Sequence, residues 1–244
     1  MICGQAYFCW LLEHDAAAGA QRSHEMEAER LKTVGILGAG RVGAAVARQA
    51  LAAGYRVRMA TAKAPHELAL ALQLVAPEAE AVTPREAVAT DLVVLAIPLH
   101  RYATLSPELF DGKIVIDAMN YWHPTDGAVL DLDSDHRSSS EIVQDHLYGA
   151  HVVKTLNHIA FRDVEAHARR AGSPGRRALA LAGDHDEAKR IAGTFIHHLG
   201  YDPVDAGPLS AGRVLEPGTE IFNGVHTAGE LRKLIECARI VAHA

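Results

Sequence analysis

Apolar positions fall along this chain in short blocks of two kinds. Thr33-Val34-Gly35-Ile36-Leu37 is a compact run of strand type, and after a glycine-rich interruption Ala44 to Ala53 is alanine-rich with helical spacing, stopping at Gly54. Tyr55 to Ala60 reads as a second strand. Pro65 to Val75 suits a helix with proline in its first turn, Ala79 to Val82 a short strand, and Thr83-Pro84 the opening of another helix. Asp91 to Ile97 is a continuous apolar run, the mark of a strand buried on both faces, and Lys113 to Asp117 is the next strand. From Asn120 to Ser138 the periodicity lapses into a long loop with Pro124, Gly127 and several aspartates. Ser139-Ser140 then caps a helix to about Leu147. Val152 to Leu156 is a strand, Ile159 to Ala171 a helix, Ala178 to Ala182 a strand and Asp186 to Leu199 an amphipathic helix. Pro203 to Asp205 is a last short strand, with helix expected from Thr219 onward.

The interruption after the first strand is Gly38-Ala39-Gly40-Arg41-Val42-Gly43. A GxGxxG turn between strand and helix, with a second strand within about 30 residues, is the context in which the motif binds a dinucleotide. Gly38 permits the tight turn, Gly40 lets backbone approach a pyrophosphate, and Gly43 lets helix and sheet pack closely. The alternation therefore predicts an α/β chain: a Rossmann-type parallel sheet with helices on both faces and a small C-terminal α/β extension. The expected divisions are an N-terminal extension (1–31), a nucleotide-binding Rossmann domain (32–119) and a smaller distal region (120–244).

The nucleotide follows from the end of the second strand. NAD-preferring units place an acidic side chain there to hold the ribose hydroxyls. This chain has Thr61, then Ala62 and Lys63, with no acid before Glu67. A hydroxyl and a cation suit the 2′-phosphate of NADP(H), and Arg41, inside the glycine turn, can swing toward the same phosphate.

From Lys32 to about Gly224 the chain resembles the NADPH-dependent reductases of the deazaflavin coenzyme F-420, whose Rossmann domain also occurs in the STEAP metalloreductases. The resemblance is carried by the glycine turn, Leu95-Ala96-Ile97-Pro98, Ser138-Ser139-Ser140-Glu141, Val152-Val153-Lys154-Thr155-Leu156-Asn157 and Asp205-Ala206-Gly207-Pro208-Leu209-Ser210. It implies that Ala39 to Val42 contact the pyrophosphate, Thr61 and Lys63 the 2′-phosphate, and Ile97, Pro98 and Leu99 the nicotinamide side. It further implies hydride transfer between NADPH and coenzyme F-420 or a related flavin-type acceptor, in a cytoplasmic homodimer whose distal region (120–244) covers the nicotinamide and supplies part of the dimer contact. Two departures stand out: Thr61-Ala62 where the family often has Ser-Arg, and Leu99 where it often has an aromatic. Another acceptor (flavin, imine or chelated metal) and a non-catalytic NADP(H) sensor remain open alternatives.

No Ser/His/Asp order or paired carboxylates point to a catalytic residue, as suits a reaction whose cofactors carry the chemistry. Asn157 and His158, after the strand that follows the long loop, are placed either to hydrogen-bond a ring carbonyl or to form a structural polar cap. His100 is a weaker candidate of the same kind. Asp131 to Asp135 resembles a calcium loop, but His136 stands where glycine is needed and Ile142 where glutamate is needed, so no metal site is expected. Arg169-Arg170 and Arg176-Arg177 flank a turn and are expected to be exposed.

A net charge of −6 gives no electrostatic footprint for nucleic acid or an anionic membrane, so neither is an expected partner; the resemblance implies a small-molecule hydride acceptor. No apolar run approaches the ~20 residues of a spanning helix. Cys3, Cys9 and Cys237 form no disulfide or metal spacing, consistent with a reducing compartment. Residues 1–25 read as a disordered tail, or as sequence ahead of a true start at Met26.

Overall fold

The computed structural model describes residues 31–121 and 137–242; the tail at 1–25, the expected start at Met26 and the acidic run 131–135 lie outside the described residues. Eight strands form one sheet: β1 (Thr33–Leu37), β2 (Arg56–Ala60), β3 (Glu80–Ala81), β4 (Leu92–Leu95), β5 (Ile114–Asp117), β6 (His151–Lys154), β7 (Ala178–Gly183) and β8 (Asp202–Gly207). Their order is β3-β2-β1-β4-β5-β6-β7-β8, parallel throughout except that β7 runs against β6. The order reverses direction between β1 and β4, where open sheets of this class take ligands outside the strands' carboxyl ends. Thr33 onward forms one compact unit. The expected boundary at 120 falls between β5 and β6, which are hydrogen-bonded neighbours in that sheet.

Helices cover both faces. They are α1 (Arg41–Ala52), α2 (Pro65–Val75), α3 (Pro84–Val88), α4 (Ser139–His146), α5 (Asp163–Ala166), α6 (Asp186–His198) and α7 (Ala228–Ala242). Gly193 of α6 lies against Leu181 and Pro203, whereas Leu231 and Ile235 of α7 pack with Ala178, Ala180 and Ala182. Alternate residues of a strand point to opposite faces, so α6 and α7 cover the two sides of β7. α3 presses so closely on β1 that a side chain at Gly35 would collide with the Ala87 carbonyl. Capping boxes begin α3 at Thr83/Glu86 and α4 at Ser138/Glu141. β4 is fully buried, as its unbroken apolar run requires.

Three expectations are corrected. The helix expected over Ile159–Ala171 is only the four residues of α5. Tertiary partners take its backbone groups instead: Tyr201 donates its hydroxyl to the carbonyls of Asp163 and Val164, and the Arg169 amide donates to Gly200 O at 3.1 Å. The helix expected from Thr219 begins at Ala228, after Asn223 takes a left-handed φ of 60° and its amide donates to His158 O. Thr227 and Glu230 then cap the helix reciprocally. Finally, Arg176 and Arg177 are buried rather than exposed. Arg176 donates to the carbonyls of His197 (2.7 Å) and Gly200 (3.1 Å), closing the end of α6, and to Asp202 (2.6 Å). Arg177 donates to Gly224 O (2.6 Å) and faces Asp163.

Candidate functional site

The glycine turn sits at the carboxyl edge of β1, between the ends of β2 and β4. The Gly38 amide donates to Ala60 O and the Ala96 amide to Leu37 O, both at 2.9 Å, so the three strand ends are tied side by side. Gly38 has φ +116°, and a Cβ there would strike the Ala96 carbonyl; at Gly43 it would strike Gly38 O. Both glycines are therefore demanded by the protein's own backbone. Gly40 differs. Its φ is −74°, open to any residue, and a Cβ there would meet none of the described residues within 4 Å. No described residue fills the volume that Gly40 keeps clear.

The amides of Arg41, Val42 and Gly43 precede the first intrahelical bond of α1, which runs from Ala44 N to Gly40 O at 2.9 Å. Among the described residues no side chain caps this helix, and its first turn holds no acidic residue. Unpaired donors at the positive end of the helix dipole suit an anion, and the cleared volume over Gly40 is where a pyrophosphate would approach them. The residues present thus fit a dinucleotide. Arg41 is exposed, and its guanidinium lies 5.2 Å from the centroid of Phe161, which reaches it from the segment after β6.

Strand register fixes the specificity position. Leu37 pairs with Ala60, so Thr61 is the first residue past β2, level with the glycine turn. Its hydroxyl accepts from the Lys63 amide at 3.1 Å, forming a small turn with Lys63 exposed beside it. At the next strand end Pro98 is exposed and Ile97 half-buried, but Leu99 turns inward and is fully buried among Leu37, Leu95 and Met119. Its side chain belongs to the core. His100, just beyond, is exposed.

Asn157 and His158 are buried at the end of β6. Both amide protons of Asn157 are committed, to Asn120 Oδ1 (3.0 Å) and Leu215 O (2.7 Å), while Asn120 donates back to Asn157 O (2.7 Å). His158 Nε2 accepts from the Ala180 amide at 3.1 Å, which leaves its proton on Nδ1, facing Asn157 Oδ1 at 3.2 Å. Burial, reinforced by the Arg177, Lys154 and His226 charges, depresses the His158 pKa to about 3. Thr155 donates to the carbonyl of the same Ala180 at 2.7 Å. Two side chains thus complete the ladder between β6 and β7, whose own backbone register covers only Val153–Gly183 and Lys154–Ala182. Of the two roles open to His158, the structural one has the geometry. Between Thr155 and Asn157, buried Leu156 takes a left-handed φ of 63°, a strained conformation for leucine.

The sequence reading missed an ion pair. Lys154 and Asp117, both with fully buried side chains, meet at 3.2 Å at the ends of β6 and β5. Each was visible as a charged residue closing an otherwise apolar strand. Among the described residues no group of three or more histidine, cysteine or acidic side chains could hold a metal, and no helix is long and apolar enough to cross a membrane.

Residues 33–121 match the family model of NADP oxidoreductases described as coenzyme F-420-dependent. A hypothetical protein from Sinorhizobium meliloti shares 30% identity and superposes with a TM-score of 0.70, over 82% of this chain and 97% of that one. The metalloreductase STEAP3 of Rattus norvegicus is 28% identical over 187 residues, 75% of this chain and 35% of the relative. The chain thus spans about a third of the length of that curated relative. An Arthrobacter sp. FB24 protein, provisionally assigned as an F-420-dependent NADP reductase, shares 24% identity with a TM-score of 0.62, over 75% of this chain and 87% of its own. It supports the fold. With the family model matched across the glycine turn and the first five strands, and a 30% identical relative covered almost end to end, the chain belongs to the family described as coenzyme F-420-dependent NADP oxidoreductases.

Proposed function

We propose that this chain moves hydride between NADPH and coenzyme F-420 or a related flavin-type acceptor. The observation that carries the reading is the cleared, donor-lined turn at Gly40–Gly43 set level with Thr61 and Lys63, with no carboxylate at the second strand end. A bound nicotinamide supplies the hydride. The chain's task is to orient that ring and keep water from it, which needs no acid–base residue. Ala39 to Val42 would hold the pyrophosphate, Thr61 and Lys63 the 2′-phosphate, and the Ile97-Pro98 edge would face the nicotinamide. The rat relative favours a second acceptor, a chelated metal, reduced at the same edge.

Mixing the purified protein with NADPH and oxidised coenzyme F-420 tests this directly, with NADH, free flavin and a ferric chelate in parallel. NADPH-dependent bleaching of the deazaflavin supports the reading. Turnover of the ferric chelate alone moves the acceptor to the second reading. NADPH binding without turnover of any acceptor overturns both and leaves a nucleotide sensor. The homodimer is likewise a proposal, and sedimentation at micromolar concentration checks it.

A further inference from the structure

We infer that the buried pair Lys154–Asp117 is a positioning device that fixes the strand-end backbone beside the nicotinamide. This rests on the nucleotide reading above. The reason lies in what the pair holds. Asp117 Oδ1 accepts from the Met119 amide at 2.9 Å, and Lys154 Nζ donates to the Met119 carbonyl at 2.7 Å. Both peptide groups of one residue are thereby clamped by opposite charges, at the carboxyl end of β5. The next residue, Asn120, is locked in turn by its reciprocal amide pair with Asn157. Met119 and Asn120 continue the line of strand ends that runs from Gly38 through Ile97, since the Ala118 amide donates to Leu95 O at 3.1 Å as the Ala96 amide does to Leu37 O.

The clamp is itself held from outside. Ser140 donates to Asp117 Oδ2 at 2.6 Å, and Ser139 Oγ lies 3.4 Å from Lys154 Nζ. Ser139 is tied through its amide and hydroxyl to Glu216 Oε1, both at 2.8 Å, and Ser138 donates to Leu209 O at 3.1 Å. Gly212 leaves room for the lysine stem, since a Cβ there would press on Lys154 Cβ and Cγ at 3.3 Å. The serine run, Lys154, Asn157 and Leu209 all come from the motifs that set this chain apart in sequence, and none is explained by phosphate binding. They converge on the backbone of Met119 and on Asn120 beside it. An ion pair buried this completely is a poor route to stability, because removing both charges from water offsets their attraction. A role in placing Met119 and Asn120 accounts for it.

The test is the double variant Lys154→Met, Asp117→Asn, which removes both charges together and keeps an acceptor for the Met119 amide. NADPH titration followed by nicotinamide emission reads the ring's surroundings without any acceptor being present. The expected result is a folded protein that still binds NADPH through its phosphates, with the emission of the bound cofactor falling toward that of free NADPH. Turnover, with whichever acceptor the wild type uses, is expected to fall about 100-fold at little changed NADPH KM. Ser140→Ala, a gentler change that frees one carboxylate oxygen, is expected to shift the emission the same way by less, and serves if the double variant does not fold. Unchanged bound-state emission in a folded variant overturns the positioning role and leaves the nucleotide reading intact. Failure of the unaltered protein to bind NADPH overturns that reading, and this inference with it.

Discussion

The carboxyl edge of the sheet is built in two opposite ways within one molecule. Over β1 and β2, Arg41, Val42 and Gly43 present amides ahead of the first intrahelical bond, Gly40 keeps a volume clear that no described residue fills, and Lys63 stands exposed. At the junction of β6 and β7, Thr155, Asn157 and His158 carry richer side-chain chemistry, yet they spend it on Ala180, Asn120 and Leu215. Reactive-looking residue types mark the closed half, and plain glycine marks the open one. A binding site is better recognised by donors left unpaired than by the side chains a chemist would choose.

Two glycines three residues apart sharpen this contrast most. Gly43→Val drives a side chain into the turn's own backbone and should cost about 3 kcal/mol of stability, read from denaturant midpoints. Gly40→Val should leave the midpoint unchanged and weaken NADPH at least about 100-fold by titration. Equal effects from the two changes would break the distinction between scaffold and site.

The closed half has its own signature in pH. His158 is neutral in the folded chain with a pKa of about 3, whereas the unfolded chain takes up a proton near the ordinary value of 6.5. The stability this buried, neutral ring confers is present in full above 6.5 and drains away as the pH falls toward 3, by about 1.4 kcal/mol per unit. Unfolding curves at pH 7 and 5 should therefore show a steeper acid loss for the wild type than for His158→Gln. Identical slopes would mean that the ring is not held neutral.

At the open edge, Thr61→Asp should repel the 2′-phosphate and move the NADPH/NADH preference by about tenfold toward NADH, measured as a ratio of dissociation constants. The smallest expected effect is that of Phe161→Ala, which frees Arg41. At an exposed site the lost stacking is worth about 0.5–1 kcal/mol, a change of a few-fold in NADPH affinity.

The open half was legible in sequence because its signals are local. Strand, glycines, helix and the absent acid at Thr61 all lie within one stretch, and the register of β1 with β2 places Thr61 where the sequence does. The closed half depends on partners far along the chain. Nothing near Ile159 announces that Tyr201 and Gly200 will occupy the backbone of the expected helix. Strand direction is equally silent in the pattern, and β7 runs opposite to β6 after a segment too short in helix to carry a parallel crossover. Arg176 and Arg177 read as turn residues because the carbonyls that draw them inward belong to 197, 200 and 224. The Lys154–Asp117 pair was visible as two charges in apolar strands, but only the pairing of β5 with β6 brings them to one point.

The left-handed backbone at Leu156 bears on how this molecule assembles. A leucine resists that conformation by about 1–2 kcal/mol. The bonds that hold the corner reach to residues 180 and 215, so it cannot close while the chain is still sampling nearby contacts. The strands of the nucleotide half can dock from short-range pieces, whereas this bend waits for β7 and the segment near Leu215 to arrive. The corner at Leu156 is thus keyed to residues far along the chain.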